Sequence, residues 1–167
     1  ADAVPVPLLR LVHGLPGAGK TQVLLWLVSY FTEVWNFEQD EDFALIAPLN
    51  SMASNIGGST VHSFGGISFK DRRGIVVNSK QQRETEETST LTYRWSKLRW
   101  LFMDEIEATG ADIFGQLSEN LRLNVPDATV DGVKHYKFED FKTRRDVRQF
   151  AGINVIAFGD FFQLDPT

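Results

Sequence analysis

No cysteine occurs among the 167 residues, which excludes a disulfide framework, thiolate catalysis and any cysteine-based zinc site. The absence names no compartment. Long apolar runs are missing too. The longest clean one, Val23 to Val28, is far too short to cross a bilayer, and no basic stretch precedes the few apolar residues of Ala1 to Arg10, as a secretory signal would require. No membrane partner is expected. Positive charge is not in excess either: 17 Lys and Arg stand against 22 Asp and Glu, a net charge of -5. Any contact with nucleic acid must therefore be local. What is present, 43% hydrophobic residues including aromatics, is enough for one domain with a sizeable core.

Short apolar runs at Leu8 to His13, Phe43 to Ala47, Trp100 to Met103 and Asn154 to Phe158 read as buried strands. Between them lie helix patterns at Lys20 to Phe31, Ser51 to Ile56 and Ala111 to Leu123, the last carrying Ile113, Phe114, Leu117 and Leu121 at helical spacing. The alternation predicts an α/β domain, a parallel sheet flanked by helices. Two polar stretches interrupt it. Residues 70 to 94 contain the low-complexity run Lys80 to Thr88 and read as an exposed insertion. Residues 124 to 149 hold Lys142, Arg144, Arg145 and Arg148, either a nucleic-acid contact or a solvated face.

Residues Gly14-Leu15-Pro16-Gly17-Ala18-Gly19-Lys20-Thr21 match G-x-x-x-x-G-K-[ST] completely, after a strand pattern and before a helical one. Chance produces such a match in a chain this long about once in a hundred sequences, and the strand-loop-helix setting lowers that further. The pattern predicts a phosphate-binding loop. Glycines let backbone N–H groups close around phosphate oxygens, the helix start adds its positive dipole end, and the Lys20 ammonium reaches the terminal phosphates. Thr21 offers a hydroxyl to Mg²⁺. Gly14, Pro16, Gly17, Ala18, Gly19, Lys20, Thr21 and Gln22 are the expected nucleotide contacts.

Trp100-Leu101-Phe102-Met103 ends in Asp104-Glu105. After a phosphate-binding loop, a carboxylate at a strand's end can hold the Mg²⁺ of a nucleoside triphosphate, the role expected of Asp104. Glu105 beside it can accept a proton from an attacking water. The strand Asn154 to Phe158 leads into Gly159-Asp160-Phe161-Phe162-Gln163-Leu164-Asp165-Pro166. In a parallel sheet this brings Asp160 and Gln163 to the ligand-binding edge. There the Gln163 amide can bond the terminal phosphate or hold the attacking water.

These motifs, in this order and together with Ala47-Pro48 and Asn55 to Ile67, resemble those of Pif-type DNA helicases, superfamily-one enzymes related to RecD. The resemblance runs from about Leu8 to the end of the chain and leaves the two polar stretches unmatched. It implies a RecA-like P-loop fold and the first of two motor domains, covering residues 1–167. It also implies ATP and Mg²⁺ as cofactors, with Lys20 and Thr21 on ATP and Mg²⁺, Asp104 on Mg²⁺, Glu105 in hydrolysis and Gln163 on the γ-phosphate. The implied partner is single-stranded DNA, translocated 5′ to 3′ in an intracellular, DNA-containing compartment such as a nucleus. Thr60, His62 and Phe64 fall in the family's strand-contacting segment. A hydroxyl and an imidazole can bond backbone phosphates, and an aromatic ring can stack on a base. On their own residues, His62 can also cap a turn, and Phe64, among the apolar Ile67 and Phe69, fits the core better than a stacking face.

Departures from the family pattern are specific. Leu49-Asn50 replaces a small Thr-Gly pair, Glu107 replaces a serine after Asp104-Glu105-Ile106, and Asp165 replaces a proline. The family's upstream adenine-recognising glutamine and its second motor domain, with an arginine finger, have no place in these residues, so the second RecA-like domain is an expected partner. Two alternatives stay open: a small P-loop kinase, and a degenerate or stand-alone nucleotide-binding module without helicase activity.

Overall fold

The computed structural model describes residues 6–67, 94–124, 129–130, 133–134 and 149–160. Strands β1 (Leu9–His13), β2 (Phe43–Ala47), β3 (Ser59–Thr60), β4 (Trp100–Met103) and β7 (Asn154–Gly159) form one sheet in the order β1-β7-β4-β2-β3, with every neighbouring pair parallel. Helices α1 (Lys20–Glu33), α2 (Asn50–Asn55), α3 (Val61–Gly65) and α4 (Ala111–Asn124) provide the crossovers. Within the 124–149 stretch, β5 (Thr129–Val130) and β6 (Val133–Lys134) pair antiparallel, apart from the main sheet.

The central strands are apolar without alternation because both sheet faces are covered. Along β2 every residue is buried, yet the side chains still divide by the two-residue period of a strand. Ala44 and Ile46 join Leu101, Met103, Val155 and Ala157 in a core capped by Phe64, Leu117, Leu121 and Phe150. Phe43, Leu45 and Ala47 join Phe102 and Phe158 on the other face, under Leu24 and Phe31 of α1 and Ala53 of α2. Phe31 anchors that second core. Its ring centroid lies 5.2 Å from those of both Trp100 and Phe102, in edge-on contacts.

The parallel register decides what meets at the C-terminal edge. His13 is level with Gly159, and Met103 with Ala157, so Gly14 and Asp160 emerge together, with Asp104 on the adjacent strand two residues lower on the same edge. β7 lies between the strand that leads into the glycine loop and the strand that ends in the acidic pair. β3 lies four strands from β1, about 19 Å at ordinary strand spacing, with its C-terminal end on the same edge. Short elements stand where the sequence reading placed none. Residues 94–97, just past the polar stretch, form a helical turn whose Trp95, with Leu98 just beyond it, is buried. A two-residue strand and a five-residue helix also occupy Ser59 to Gly65.

Candidate nucleotide-binding site

β1 ends at His13, and its ladder runs one bond further, from the Gly14 N–H to the Gly159 carbonyl at 3.4 Å. The chain then turns through Leu15 to Gly19. Gly17 (φ 71°) and Gly19 (φ 85°) both take left-handed backbone conformations that residues with a Cβ adopt only at a cost. Gly19 caps α1 without a side chain, and no acidic residue stands in the first helical turn. The positive end of a 14-residue helix thus faces the loop with no acidic residue of its own first turn beside it. The Lys20 ammonium folds back into the loop and donates to the carbonyls of Gly14 at 2.7 Å and Leu15 at 3.2 Å. A phosphate entering the loop can take over those donors.

Next in the chain, the Thr21 hydroxyl donates to Asp104 Oδ2 at 3.1 Å. Asp104 is buried at 5% exposure, and its Oδ1 accepts the Glu105 N–H at 3.1 Å. Burial raises its pKa, against the pull of the bonds from Thr21 and Glu105. A hydroxyl and a carboxylate oxygen meeting in this way suit a hard cation. Among the described residues no three His, Cys, Asp or Glu side chains come together as a metal cluster. An ion held here would therefore complete its shell from phosphate and water oxygens, the habit of Mg²⁺.

Glu105 has left-handed backbone angles (φ 53°, ψ 46°), a conformation that costs a non-glycine residue about 1–2 kcal/mol. Its carboxyl pKa is pushed up to about 7, first by a hydrogen bond with the Glu107 carboxyl, then by burial and by the charges of Glu107 and Asp104, with Lys20 opposing. Being above its ordinary 4.5, this pKa means the folded chain keeps a proton that the unfolded chain releases. The group's stabilisation is complete below pH 4.5 and is lost as pH rises through 7. Urea unfolding midpoints should fall across that window, and Glu105→Gln should remove this component of the fall.

In the sequence Glu107 stands out only as a departure from the resembling pattern. In the structure it is buried beside Glu105, and a Cβ on Gly159 would meet its Oε2 at 2.5 Å. Its position after Asp104-Glu105-Ile106, where the resembling pattern carries a serine, was the available signal.

The expected strand-contacting residues separate. Thr60 Oγ1 accepts the Ser63 N–H at 3.1 Å and caps α3. The His62 imidazole has a lowered pKa through burial, opposed by the charge of Asp112. Phe64 requires correction: it is completely buried, packed against Trp95 with ring centroids 6.2 Å apart. Its ring is core, with no face left for a base, because its apolar neighbours Ile67 and Leu117 close over it. Gln163 and Asp165 lie outside the described residues. Asp160, the last described residue of the edge, is buried at the end of β7.

The family model described as PIF1-like helicase matches residues 7–167. The chain belongs to that family. It is 28% identical over 153 residues to the ATP-dependent DNA helicase PIF1 of Emericella nidulans, covering 92% of this chain and 17% of that protein. With the PIF1 of Candida albicans it is 29% identical over 154 residues, covering 92% of this chain and 14% of that one. The crystal structure of Pif1 helicase from Candida albicans superposes with a TM-score of 0.63 at 25% identity, covering 96% of this chain and 30% of that one. That of Pif1 helicase from Bacteroides in complex with ADP-AlF3 and single-stranded DNA gives 0.58 at 26% identity, with the same coverages. This chain therefore spans less than a third of these PIF1-like relatives, and its sheet is the RecA-like P-loop fold they share. Among the described residues no helix is long and apolar enough to cross a membrane.

Proposed function

We propose that residues 1–167 are the first RecA-like motor domain of an ATP-dependent DNA helicase. The parent protein would hydrolyse ATP·Mg²⁺ to move 5′ to 3′ along single-stranded DNA and part a duplex. One observation carries this reading: Thr21 and Asp104, 83 residues apart, are joined at 3.1 Å beside the Lys20 loop, with Glu105 next in the chain. Lys20 and the loop from Gly14 to Gln22 hold the phosphates. Thr21 and Asp104 would hold Mg²⁺, which would supply charge neutralisation at the triphosphate. A water oxygen bonds to the γ-phosphorus, the bond to the bridging oxygen breaks, ADP leaves, and the water proton passes to Glu105. Gln163 is assigned to the γ-phosphate.

Single-stranded DNA is assigned to Thr60 and His62, about 19 Å along the same edge. The second RecA-like domain is the partner that closes over the nucleotide, since alternating grip on a strand needs a moving element that each nucleotide state biases.

ATP turnover by this chain, with and without single-stranded DNA, tests the reading. Turnover should be slow, because an arginine supplied from outside contributes about 10³ to 10⁵ in rate. Log DNA affinity should fall with log salt at roughly 0.7 per phosphate neutralised. Phosphoryl transfer to a nucleoside instead of water would favour a kinase. A flat salt response would leave a nucleotide-binding module only. Either result overturns the proposal, as does fast, DNA-stimulated turnover by these residues alone.

A further inference from the structure

α1 is apolar on two sides. Leu24 and Phe31 are buried against the sheet, as one stripe of a helix on a globular core must be. A second stripe, Val23, Trp26, Tyr30 and Val34, recurs at three- and four-residue spacing, with Val34 at the cap and its N–H on the Tyr30 carbonyl at 3.0 Å. It faces solvent. These four residues are 39, 65, 46 and 62% exposed, and Trp35, edge-on to Tyr30 with ring centroids 5.4 Å apart, is 42% exposed. A surface helix ordinarily carries charge on such a face. Here the whole run from Thr21 to Thr32 carries none.

An aromatic side chain offers about 150–250 Å² for burial, so Trp26, Tyr30, Trp35 and the two valines leave roughly 300–500 Å² of apolar surface open. A patch of that size on one monomer is often functional. A lipid surface matches it poorly: interfacial helices carry Lys and Arg beside the apolar face, whereas Thr21 to Asp42 contains no basic residue and ends in Glu38, Asp40, Glu41 and Asp42. A second copy of this chain matches it well. Turned antiparallel about a two-fold axis between residues 28 and 29, the stripe meets itself, Val23 against Val34 and Trp26 against Tyr30, as an isologous contact requires. No charge on the stripe opposes the pairing. Because apolar atoms make up about 60% of an interface, two such patches correspond to on the order of 1,000–1,600 Å² buried in all, enough for a specific but weak dimer.

We propose that the outer face of α1 is an interface between two copies of this chain, packed antiparallel with Trp26 of one copy against Tyr30 of the other. Val23 stands nearly one turn after Lys20, so the two phosphate-binding loops lie at opposite ends of the helix pair, about 25 Å apart along it at 1.5 Å per residue. None of the five residues is assigned to nucleotide or DNA, and the dimer stands or falls apart from the helicase reading.

Sedimentation equilibrium of residues 1–167 tests it. The chain should pass from monomer toward dimer as its concentration rises through the micromolar range, and Trp26→Glu should stay monomeric throughout with an unchanged circular dichroism spectrum. Cysteine cross-linking reads the register, on a chain that has no cysteine of its own. Under oxidation an equimolar mixture of Val23→Cys and Val34→Cys chains should form disulfide-linked dimers. Either variant alone should not, because its two thiols stand about 16 Å apart along the helix pair, beyond the reach of a disulfide. Three results overturn the proposal: a chain that remains monomeric up to about 1 mM, which leaves this face to another part of the parent polypeptide; association that survives Trp26→Glu; or cross-linking within one variant alone, which requires a different packing.

Discussion

Lys20→Ala should cost this chain ATP·Mg²⁺ affinity by roughly 10² to 10³ while leaving the fold intact. Two facts set that expectation. Among the described residues the ammonium donates to the loop carbonyls of Gly14 and Leu15, at 2.7 and 3.2 Å. Both are close enough to solvent for water to replace the lost donor, so unfolding stability should change by no more than about 1 kcal/mol, the net worth of an ordinary hydrogen bond. Against a triphosphate the same ammonium faces several negative oxygens. One charge pair near 4 Å contributes about 4 kcal/mol at an effective dielectric constant of 20, of which desolvation takes back a part. Calorimetric titration with ATP·Mg²⁺ measures the difference directly. Unchanged affinity in the variant would remove the loop from the phosphate site and with it the rest of the assignment.

The sheet was legible because burial on both faces writes a strand as an unbroken apolar run. Phe43 to Ala47, Trp100 to Met103 and Asn154 to Phe158 carry that signature, and the observed strands agree with them to within a residue. The loop was legible because its glycines answer a local demand: Gly17 and Gly19 sit at positive φ. What escaped was decided by contacts between distant residues. β3 has two residues and exists through pairing with Ile46 and Ala47, a length at which no periodicity can be read. Trp95 and Leu98 follow a polar run, and only the first core, assembled from α3, α4 and the sheet, gives them a place. Phe64 shows the limit from the other side: a motif position that suits a stacking role was claimed by packing. Thr60 to Ser63 spells the spacing of a capping hydroxyl, and there the local bond formed. Glu107 was visible only as a departure. Its partner Glu105 stands two residues away, across a bend with left-handed backbone that composition and spacing do not reveal.

Glu105→Gln should separate binding from hydrolysis. The amide keeps the volume of the carboxyl and can still hydrogen-bond Glu107. ATP·Mg²⁺ should bind as tightly as before or somewhat tighter, since a negative charge leaves the neighbourhood of the phosphates. Turnover should fall by about 10² to 10⁴, the usual contribution of a positioned proton acceptor. The pH dependence provides the second signature. A general base works ionised, and the Glu105 pKa is pushed up to about 7 in the nucleotide-free chain. Because kcat/KM reports ionisations of the free enzyme, it should climb about tenfold per pH unit below 7 and level off above. In Glu105→Gln that limb should flatten, leaving a slow rate nearly independent of pH across the same interval. A variant that hydrolyses ATP at the unaltered rate would transfer the base to another group. A variant that keeps the limb would transfer the pH dependence as well, with Asp104, whose pKa is raised by burial, as the next carboxyl to test.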